Sequence, residues 1–149
     1  MNKILSFIVN NENQILLLRN NPIDPKHGGD FWYTVTGSVE EYDQSLEEAV
    51  VREIKEETNL NVNECIYLNL ILIYINENIQ YEEYVHISFV NNVDNIILDE
   101  EENIDFKWCS LEEVINKIKW YGDRTYLRPL LTTAINKETY FNKEIIERV

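Results

Sequence analysis

The first third of the chain contains three short runs of apolar and β-branched residues, each of a length typical of a strand. Residues 3–9 and 14–19 flank the polar tetrad 10–13, which has the composition of a turn, and together they predict a β-hairpin. The third run, residues 31–36, follows a loop with two prolines and a Gly pair, and Gly37 interrupts its pattern. We therefore expect three strands in this part of the chain.

The middle of the chain combines a helical segment with long apolar runs. Residues 45–58 are all tolerable or good helix formers, and Asn59, which adopts the left-handed conformation readily, is placed to end the helix. Two runs rich in Ile, Val and Tyr, residues 62–75 and 80–90, predict long strands joined by a short polar turn. Residues 106–108 predict a further, short strand.

Two more helices are predicted towards the end of the chain. Ser110 with Glu113 three residues later is a capping box, which predicts a helix from there to about residue 118. Another helix is predicted over residues 125–137, with Pro129 in its first turns, where a missing N–H costs little. Because strands and helices interleave irregularly, the pattern predicts an α+β fold, an α/β/α sandwich around a mixed β-sheet.

Composition limits the classes of protein that fit this pattern. The 149 residues are 44% hydrophobic with only four Gly and three Pro, which predicts a single packed domain over residues 1–149. Thirteen basic against 27 acidic residues give a net charge of −14, which disfavours nucleic acid and anionic membrane surfaces as partners. The same charge opposes a phosphorylated small molecule unless a cation or a local basic group reverses the field.

No segment has the properties of a targeting or membrane-spanning sequence. The longest apolar run, residues 66–75, has about half the length that a spanning helix needs, and the first residues lack a signal-peptide pattern. Cys65 and Cys109 are isolated in apolar stretches, which favours reduced, packed thiols over a disulfide or a metal clip. These features predict a cytoplasmic protein.

The densest concentration of chemically active residues lies in the predicted helix 45–58. At about 100° per residue, Glu53 and Glu57 fall within or beside the apolar arc of this helix, and Glu56 lies at its edge. The arc itself is formed by Leu46, Val50 and Ile54. Arg52 and Lys55 are predicted to project to the opposite side. The carboxylates therefore border the buried face instead of forming a solvated acidic face.

Partly buried carboxylates at this spacing repel one another. At about 5 Å and an effective dielectric constant near 20, each pair of charges is unfavourable by roughly 3 kcal/mol. A cluster of oxygen ligands suits Mg²⁺ or Mn²⁺, which would also bind phosphate oxygens and so reverse the unfavourable field. The alternative is a solvated Glu-rich helix without a site.

The segment that begins at Gly37 resembles the signature of the Nudix hydrolases. That signature is Gly, five residues, Glu, seven residues, Arg-Glu, an apolar residue, any residue, Glu-Glu, any residue, Gly and an apolar residue. Residues 52–58 match its second half and residues 37–40 match its loop. The spacing between the halves is one residue too long, so that either Asp43 or Gln44 stands at the first Glu, and Asn59 replaces the late Gly.

The resemblance implies a fold, an activity and a set of site residues. Members have a mixed sheet with flanking helices, and they use divalent cations to hydrolyse nucleoside-diphosphate-type linkages by attack of water on phosphorus. By this resemblance Glu53, Glu56 and Glu57, with the carbonyl of Gly37, would hold the cations, and one of the acids or a neighbour would accept the proton of the water. Arg52 would orient the carboxylates by a charge-assisted hydrogen bond.

Three segments look like a narrower group, the bacterial dihydroneopterin triphosphate and deoxynucleoside triphosphate pyrophosphohydrolases. They are residues 32–41, residues 102–108 and residues 120–124. This resemblance implies that Glu102 is a further metal ligand and that the substrate is a pterin or nucleoside triphosphate, cleaved to the monophosphate and pyrophosphate. The alternative for Glu102 is one acid among several on a solvated loop, residues 99–102.

Further candidates for substrate contacts are Arg19, Trp32, Tyr33, Trp120, Tyr121 and Arg124. Arg19 could neutralise a phosphate or lie on the surface, and the aromatic residues could stack on a heterocycle or belong to the core. His27 and His86 have no partner spacing that predicts catalysis. The rival functions are a Nudix-like sensor that binds a nucleotide or nucleotide sugar without cleaving it and a broad hydrolase of damaged nucleotides. A homodimer is left open.

Overall fold

The computed structural model describes residues 1–23, 28–91, 95–120 and 122–137. The strands are β1 (Asn2–Val9), β2 (Ile15–Asn20), β3 (Trp32–Tyr33), β4 (Val35–Ser38), β5 (Val62–Asn76), β6 (Ile79–Val90) and β7 (Asn103–Cys109). The α-helices are α1 (Leu46–Thr58), α2 (Leu111–Lys117) and α3 (Leu127–Ile135), and a short 3-10 turn, Arg124–Tyr126, precedes α3. The predicted α+β class with a mixed sheet is confirmed.

The sheet is mixed because its two central strands are parallel. β1 runs parallel to β6 from the pair Asn2 and Glu82 to the pair Val9 and Phe89, and β5 lies antiparallel to β6 at the edge. The predicted hairpin of β1 and β2 is present, but the two strands meet at a single pair, Val9 and Ile15. Beyond it, β4 pairs with β1, while β3 and β7 pair with β2.

The prediction of a single strand over residues 31–36 is wrong, because the structure has two strands there. The chain changes partner at Thr34, whose Oγ1 donates a hydrogen bond of 2.6 Å to the carbonyl of Ser6. The segment is thereby divided into β3, paired with β2, and β4, paired with β1. Gly37 does not end a strand, since it lies inside β4 opposite Ile4. Local propensity could not show that one apolar run is shared between two neighbours.

The helices cover the two faces of the sheet and form separate cores. On one face, Ile4 and Ile8 of β1 pack with Val50 and Ile54 of α1. On the other face, alternate β1 residues such as Phe7 pack against α2 and α3. This is the predicted α/β/α layering. In the parts of the chain that the structure describes, no helix is long and apolar enough to span a membrane.

The predicted helix ends are largely confirmed. The Ser45 side chain accepts from the backbone N–H of Glu48 at 3.1 Å, and Asn59 ends α1 with φ 69°. Both hydrogen bonds of the capping box between Ser110 and Glu113 are present at the start of α2. The third helix is shorter than predicted, because its first residues form the 3-10 turn and α3 ends at Ile135.

Strand β7 is longer than the predicted 106–108, because it pairs with β2 from Asn103 to Cys109. Both cysteines are free, as expected, with Cys65 half-buried and Cys109 buried.

Candidate metal and active site

Gly37 and Glu53 bring strand β4 and helix α1 into direct contact. A Cβ built on Gly37 would overlap the Glu53 carboxyl group, so the acid lies directly against the backbone of β4. Only glycine allows this approach. The contact places a carboxylate next to the backbone of Gly37, whose carbonyl was predicted as a ligand.

Among the three acids of α1 that were predicted as metal ligands, Glu57 is the most deeply buried, with 8% of its surface exposed. Among the described residues, none makes a hydrogen bond to its buried Oε2 atom. Burial raises its pKa well above the usual value, and repulsion from Glu53 and Glu102 raises the pKa further. A buried carboxylate oxygen without a partner is unfavourable unless another group binds it.

Glu53 and Glu56 differ from Glu57 in exposure and in partners. The Glu53 side chain is 14% exposed, and burial raises its pKa, although hydrogen bonding to Arg52 acts in the opposite direction. The Glu56 side chain is 56% exposed. The predicted order, with Glu53 and Glu57 inside the apolar border and Glu56 at its edge, agrees with these exposures.

The predicted direction of Arg52 is wrong. Its side chain is only 17% exposed, and it donates to Glu53 Oε1 at 2.9 Å and to Glu56 Oε2 at 3.4 Å. It also donates to the Ser38 carbonyl at 3.0 Å. A helical wheel gives the direction of Cβ alone, whereas the long Arg side chain reaches acceptors both on its own helix and on β4. The geometry allows the orienting role that the resemblance implies.

Asp43 is the main partner of Arg52. Its two oxygens accept from Arg52 Nε at 3.1 Å and from Arg52 Nη2 at 2.8 Å, and its side chain is 1% exposed. The guanidinium group lowers the pKa of Asp43. Gln44 is exposed, and its backbone N–H donates to Glu48. Of the two alternatives for the first signature acid, Asp43 is the one that contacts Arg52. Its assignment to the signature position stays a prediction.

Backbone hydrogen bonds hold the loop before β7 against the end of α1. The N–H of Ile97 donates to the Thr58 carbonyl at 3.0 Å, and the N–H of Asp99 donates to the Glu57 carbonyl at 3.3 Å. Glu102 in this loop is half-buried, and its charge raises the pKa of both Glu53 and Glu57. The neighbouring acids, Glu100 and Glu101, are exposed. Of these three acids, Glu102 acts on the helix carboxylates.

The acids of the site raise one another's pKa, but their side chains do not converge on a single position. Within the described ranges, no three acidic, His or Cys side chains are arranged as a preformed metal cage. Arg52 holds Glu53 and Glu56, which explains part of this openness. The residues nevertheless fit a divalent cation, because the unpartnered Glu57 oxygen and the mutual repulsion of the acids would both be relieved by positive charge.

Arg19, Trp32 and Tyr33 lie on strands β2 and β3. Arg19 forms a bidentate pair with Asp30, at 2.9 and 2.8 Å. Trp32 and Tyr33 are half-buried against the core that contains α2 and α3, and Lys117 Nζ lies 4.8 Å from the centre of the Trp32 ring. The structure thus gives these three residues protein partners, and their predicted substrate contacts stay predictions.

Arg124 has a structural contact that its sequence context did not predict. Its guanidinium group donates to the carbonyls of Ile115 and Ile118 and so caps the end of α2. Trp120 packs against Phe7, with ring centres 5.7 Å apart, and lines a cavity of about 170 Å³. The cavity is lined by Leu70, Leu72, Trp120, Gly122, Asp123, Tyr126, Leu127 and Leu130.

The remaining candidates lie either away from the site or outside the residues that the structure describes. His86 is 2% exposed, its Nδ1 lies 2.9 Å from the Tyr84 carbonyl, and burial lowers its pKa. The predictions for His27 and Tyr121 fall on residues outside the described ranges. Sequence reasoning missed the loop contacts made by Ile97 and Asp99, because backbone hydrogen bonds leave no signal in residue type.

The mixed sheet, the Gly37 contact and the acidic helix α1 together define a class of hydrolase that acts on phosphoric anhydrides. A family model described as the NUDIX domain matches residues 2–130. The chain therefore belongs to the Nudix hydrolase family, whose enzymes act on phosphoric anhydrides of the nucleoside-diphosphate type.

Solved structures agree with the fold. An Ap4A hydrolase from C. elegans, in a binary complex, is 21% identical with a TM-score of 0.70, over 91% of this chain and 98% of that one. The dihydroneopterin triphosphate pyrophosphohydrolase of E. coli is 22% identical with a TM-score of 0.68, over 89% and 96%. The NUDIX domain of Shewanella oneidensis NrtR, in complex with ADP ribose, is 15% identical with a TM-score of 0.68, over 89% and 86%.

Proposed function

We propose that the chain is a Mg²⁺-dependent pyrophosphohydrolase that cleaves a pterin or nucleoside triphosphate into the monophosphate and pyrophosphate. The observation that carries this proposal is the buried Oε2 atom of Glu57, which accepts no hydrogen bond from the described part of the chain and lies in the field of Glu53 and Glu102. A protein without a ligand for this oxygen would gain stability by losing the acid. The arrangement is therefore best explained by a bound cation.

In this proposal the chain's acids hold Mg²⁺, or Mn²⁺ in its place. The ligands would be Glu53, Glu56, Glu57, Glu102 and the Gly37 carbonyl. The cation, when bound, supplies the positive charge that attracts phosphate oxygens to a molecule of net charge −14 and that increases the acidity of water. One of the carboxylates accepts the proton of the attacking water.

Arg52 and Asp43 would position the metal-binding acids without contacting the substrate. Asp43 fixes the guanidinium group through two hydrogen bonds, and the same group then donates to Glu53 and Glu56. A charged, bidentate contact of this kind restricts the direction of the bound carboxylates. Asp43 and Arg52 would therefore affect turnover indirectly, because they fix the orientation of the Glu53 and Glu56 carboxylates.

The cavity beside Trp120 is not assigned to the substrate of the proposed site. Its lining residues Leu70, Leu72 and Leu127 belong to the core on the α2 and α3 face of the sheet, whereas the acids lie on α1, which packs on the other face. Its volume of about 170 Å³ is also below the roughly 300–1,000 Å³ of common ligand pockets. The choice of a pterin or nucleoside triphosphate therefore rests on the resemblance of residues 32–41, 102–108 and 120–124 to that group of enzymes.

The test is a panel of phosphorylated substrates with product analysis. The panel contains a pterin triphosphate, the deoxynucleoside triphosphates, a dinucleoside polyphosphate and ADP ribose, each with and without Mg²⁺. The proposal expects Mg²⁺-dependent release of pyrophosphate, fastest from a pterin or nucleoside triphosphate. Release of inorganic phosphate alone, or hydrolysis confined to the dinucleotide, would contradict the proposed substrate class and keep the family activity.

The second candidate is a sensor that binds a nucleotide sugar without cleaving it. Two observations favour it: the additional residue between Gly37 and Arg52, and the similarity to the NrtR domain that was solved in complex with ADP ribose. Binding of ADP ribose by calorimetry, with no hydrolysis of any substrate in the panel, would replace the enzyme proposal by this one.

A further inference from the structure

The loop that carries Glu102 is held from two sides of the fold. We call residues 95–102 the Glu102 loop. Towards α1, the N–H groups of Ile97 and Asp99 donate to carbonyls at the end of the helix. Towards β2, the last part of the loop meets Asn21, the residue that follows the strand. The Glu102 loop therefore connects the acidic helix to the first hairpin.

Asn21 binds the Glu102 loop through both its backbone and its side chain. Its N–H donates to the carbonyl of Glu102 at 3.0 Å, and its Nδ2 donates to the carbonyl of Glu100 at 2.9 Å. Its Oδ1 accepts from the N–H of Ile23 at 3.0 Å, which directs the Nδ2 group towards the loop. Because Pro22 follows, the backbone of Asn21 is biased towards extended conformations. Asn21 is therefore a preoriented double donor beside Glu102.

A bulge in β7 brings Glu102 next to Asn21. The ladder of β2 and β7 shifts by one residue after Arg19, so that Ile104 is the additional residue of β7. In a regular antiparallel ladder, Asn21 would stand opposite Asn103. The shift brings Glu102 to this place instead, in agreement with the hydrogen bond between the two backbones. Bulges redirect side chains in this way and are frequent beside active sites.

Glu102 needs an anchor because electrostatic repulsion opposes its position. Besides burial, the charge of Glu102 raises the pKa of both Glu53 and Glu57, so its carboxylate lies in their field and is repelled by them. In the metal-free chain this repulsion pushes the loop away from α1. A neutral amide holds the loop carbonyls without adding charge, whereas Lys or Arg would compete with a cation and Asp has no side-chain donor. The residue type of Asn21 thus suits an anchor beside a cation site.

We propose that Asn21 is a positioning residue, whose two donors hold Glu102 where its carboxylate binds the divalent cation of the proposed site. Asn21 touches neither the cation nor the substrate and acts through the backbone of the Glu102 loop. The inference rests on the proposed function, because it takes Glu102 as a metal ligand. Without the amide the end of the loop gains conformational freedom, and cation binding has to remove that freedom again.

The experiment measures Mn²⁺ binding to the substrate-free chain by electron paramagnetic resonance, which counts the free ion. Asn21→Ala should raise the dissociation constant about tenfold, the lower end of the usual effect for a group behind a metal ligand. Asn21→Ser is the milder variant, because its hydroxyl can still accept from Ile23 but does not reach Glu100, and it should act in the same direction. At saturating Mg²⁺, the KM for substrate should stay within about twofold in both variants.

Two comparisons separate positioning from a general loss of stability. In a double-mutant cycle, Asn21→Ala should not weaken Mn²⁺ binding further once Glu102→Ala is present, because it acts through that residue. Asn10→Ala is the matched control, since the Asn10 side chain also orders a turn by accepting from the N–H groups of Glu12 and Gln14. This control should lower the melting temperature and leave Mn²⁺ binding unchanged.

The outcomes distinguish this inference from the proposed function. If Glu102→Ala weakens Mn²⁺ binding and both Asn21 variants bind as the wild type does, the inference is overturned and the function is kept. If Asn21→Ala weakens binding equally with and without Glu102, Asn21 acts through other residues, which also overturns the inference. A wild-type chain that binds no Mn²⁺, or a Glu102→Ala chain that binds it normally, overturns both the metal assignment and the inference.

Discussion

Glu57 shows how a single residue can oppose the stability of the fold that positions it. Its carboxyl is buried and repelled by other acids, and both effects raise its pKa. None of the described residues makes a hydrogen bond to its Oε2 atom. In the metal-free chain the folded state therefore keeps a proton at pH values where the unfolded state has lost it. Stability then decreases as the pH rises from the unfolded pKa, about 4.3, through the raised folded pKa.

We expect Glu57→Gln to melt at a higher temperature than the metal-free wild-type chain, and the difference to increase with pH. The neutral amide removes the charge that burial and repulsion disfavour. For a chain of this size each kcal/mol corresponds to about 2–4 °C. Thermal melts in a chelating buffer between about pH 5 and pH 8 measure this.

Glu56→Gln is the matched control, because the Glu56 side chain is 56% exposed and should change the melting temperature little. In Mg²⁺ both variants should hydrolyse the substrate far more slowly than the wild type. A lower melting temperature for Glu57→Gln, or a difference that does not depend on pH, would argue against a charged, buried Glu57 as the source of instability.

Glu102 gives a second prediction for single residues. Glu102→Ala should lower turnover and raise the Mg²⁺ concentration needed for half-maximal activity, because an oxygen ligand is removed from the proposed site. Glu100→Ala and Glu101→Ala should leave turnover close to that of the wild type and change the free energy of unfolding by less than about 0.5 kcal/mol, since both side chains are exposed. Initial rates across a Mg²⁺ series separate the three. If all three variants have equal and small effects, Glu102 is one of several acids on a solvated loop and not a metal ligand.

At the level of elements, helix α1 is held at both ends by different means. Ser45 caps its start, and the left-handed Asn59 ends it where the signature of the family has glycine. The loop before α1 is connected to the middle of the helix through the pair of Asp43 and Arg52. This pair connects the loop, which is one residue longer than that of the signature, directly to the helix.

The loop contact leads to a prediction about positioning. Asp43→Ala should lower turnover by about 10- to 100-fold, the usual effect of removing a group that orients metal ligands. Arg52 would lose its bidentate partner, and Glu53 and Glu56 would be less fixed. Gln44→Ala, at an exposed neighbouring residue, should leave turnover within about twofold. If steady-state rates for the two variants are equal, Asp43 has no positioning role.

For the whole molecule, the net charge of −14 predicts different responses to monovalent and divalent salt. At equal ionic strength, MgCl₂ should raise the melting temperature of the wild type more than NaCl does, because a ligand that binds only the folded state stabilises it. The gain is about 1.4 kcal/mol at ten times the dissociation constant. Glu57→Gln should lose most of this additional gain. Equal shifts in both salts would show screening alone.

Much of the fold follows from local sequence. Helix α1, the capping box of α2 and the long β5–β6 hairpin depend on propensity, caps and turn residues, and all three were predicted near their observed ends. The division of residues 31–36 into β3 and β4 could not be predicted, because it depends on which distant strand each half meets. Pairing partners are not encoded in a short apolar run.

The sequence by itself determined the family, the acidic helix and the residues that the proposed chemistry needs. Those depend on residue type and on spacing along one helix, which the 3.6-residue period converts directly into a shared face. The tertiary structure alone decided that Glu57 is buried with no hydrogen bond to its Oε2 atom from the residues the structure describes, that Arg52 donates to Glu53, and that Arg124 caps α2. These features depend on contacts between segments far apart in sequence and on the reach of long side chains, which no local period contains.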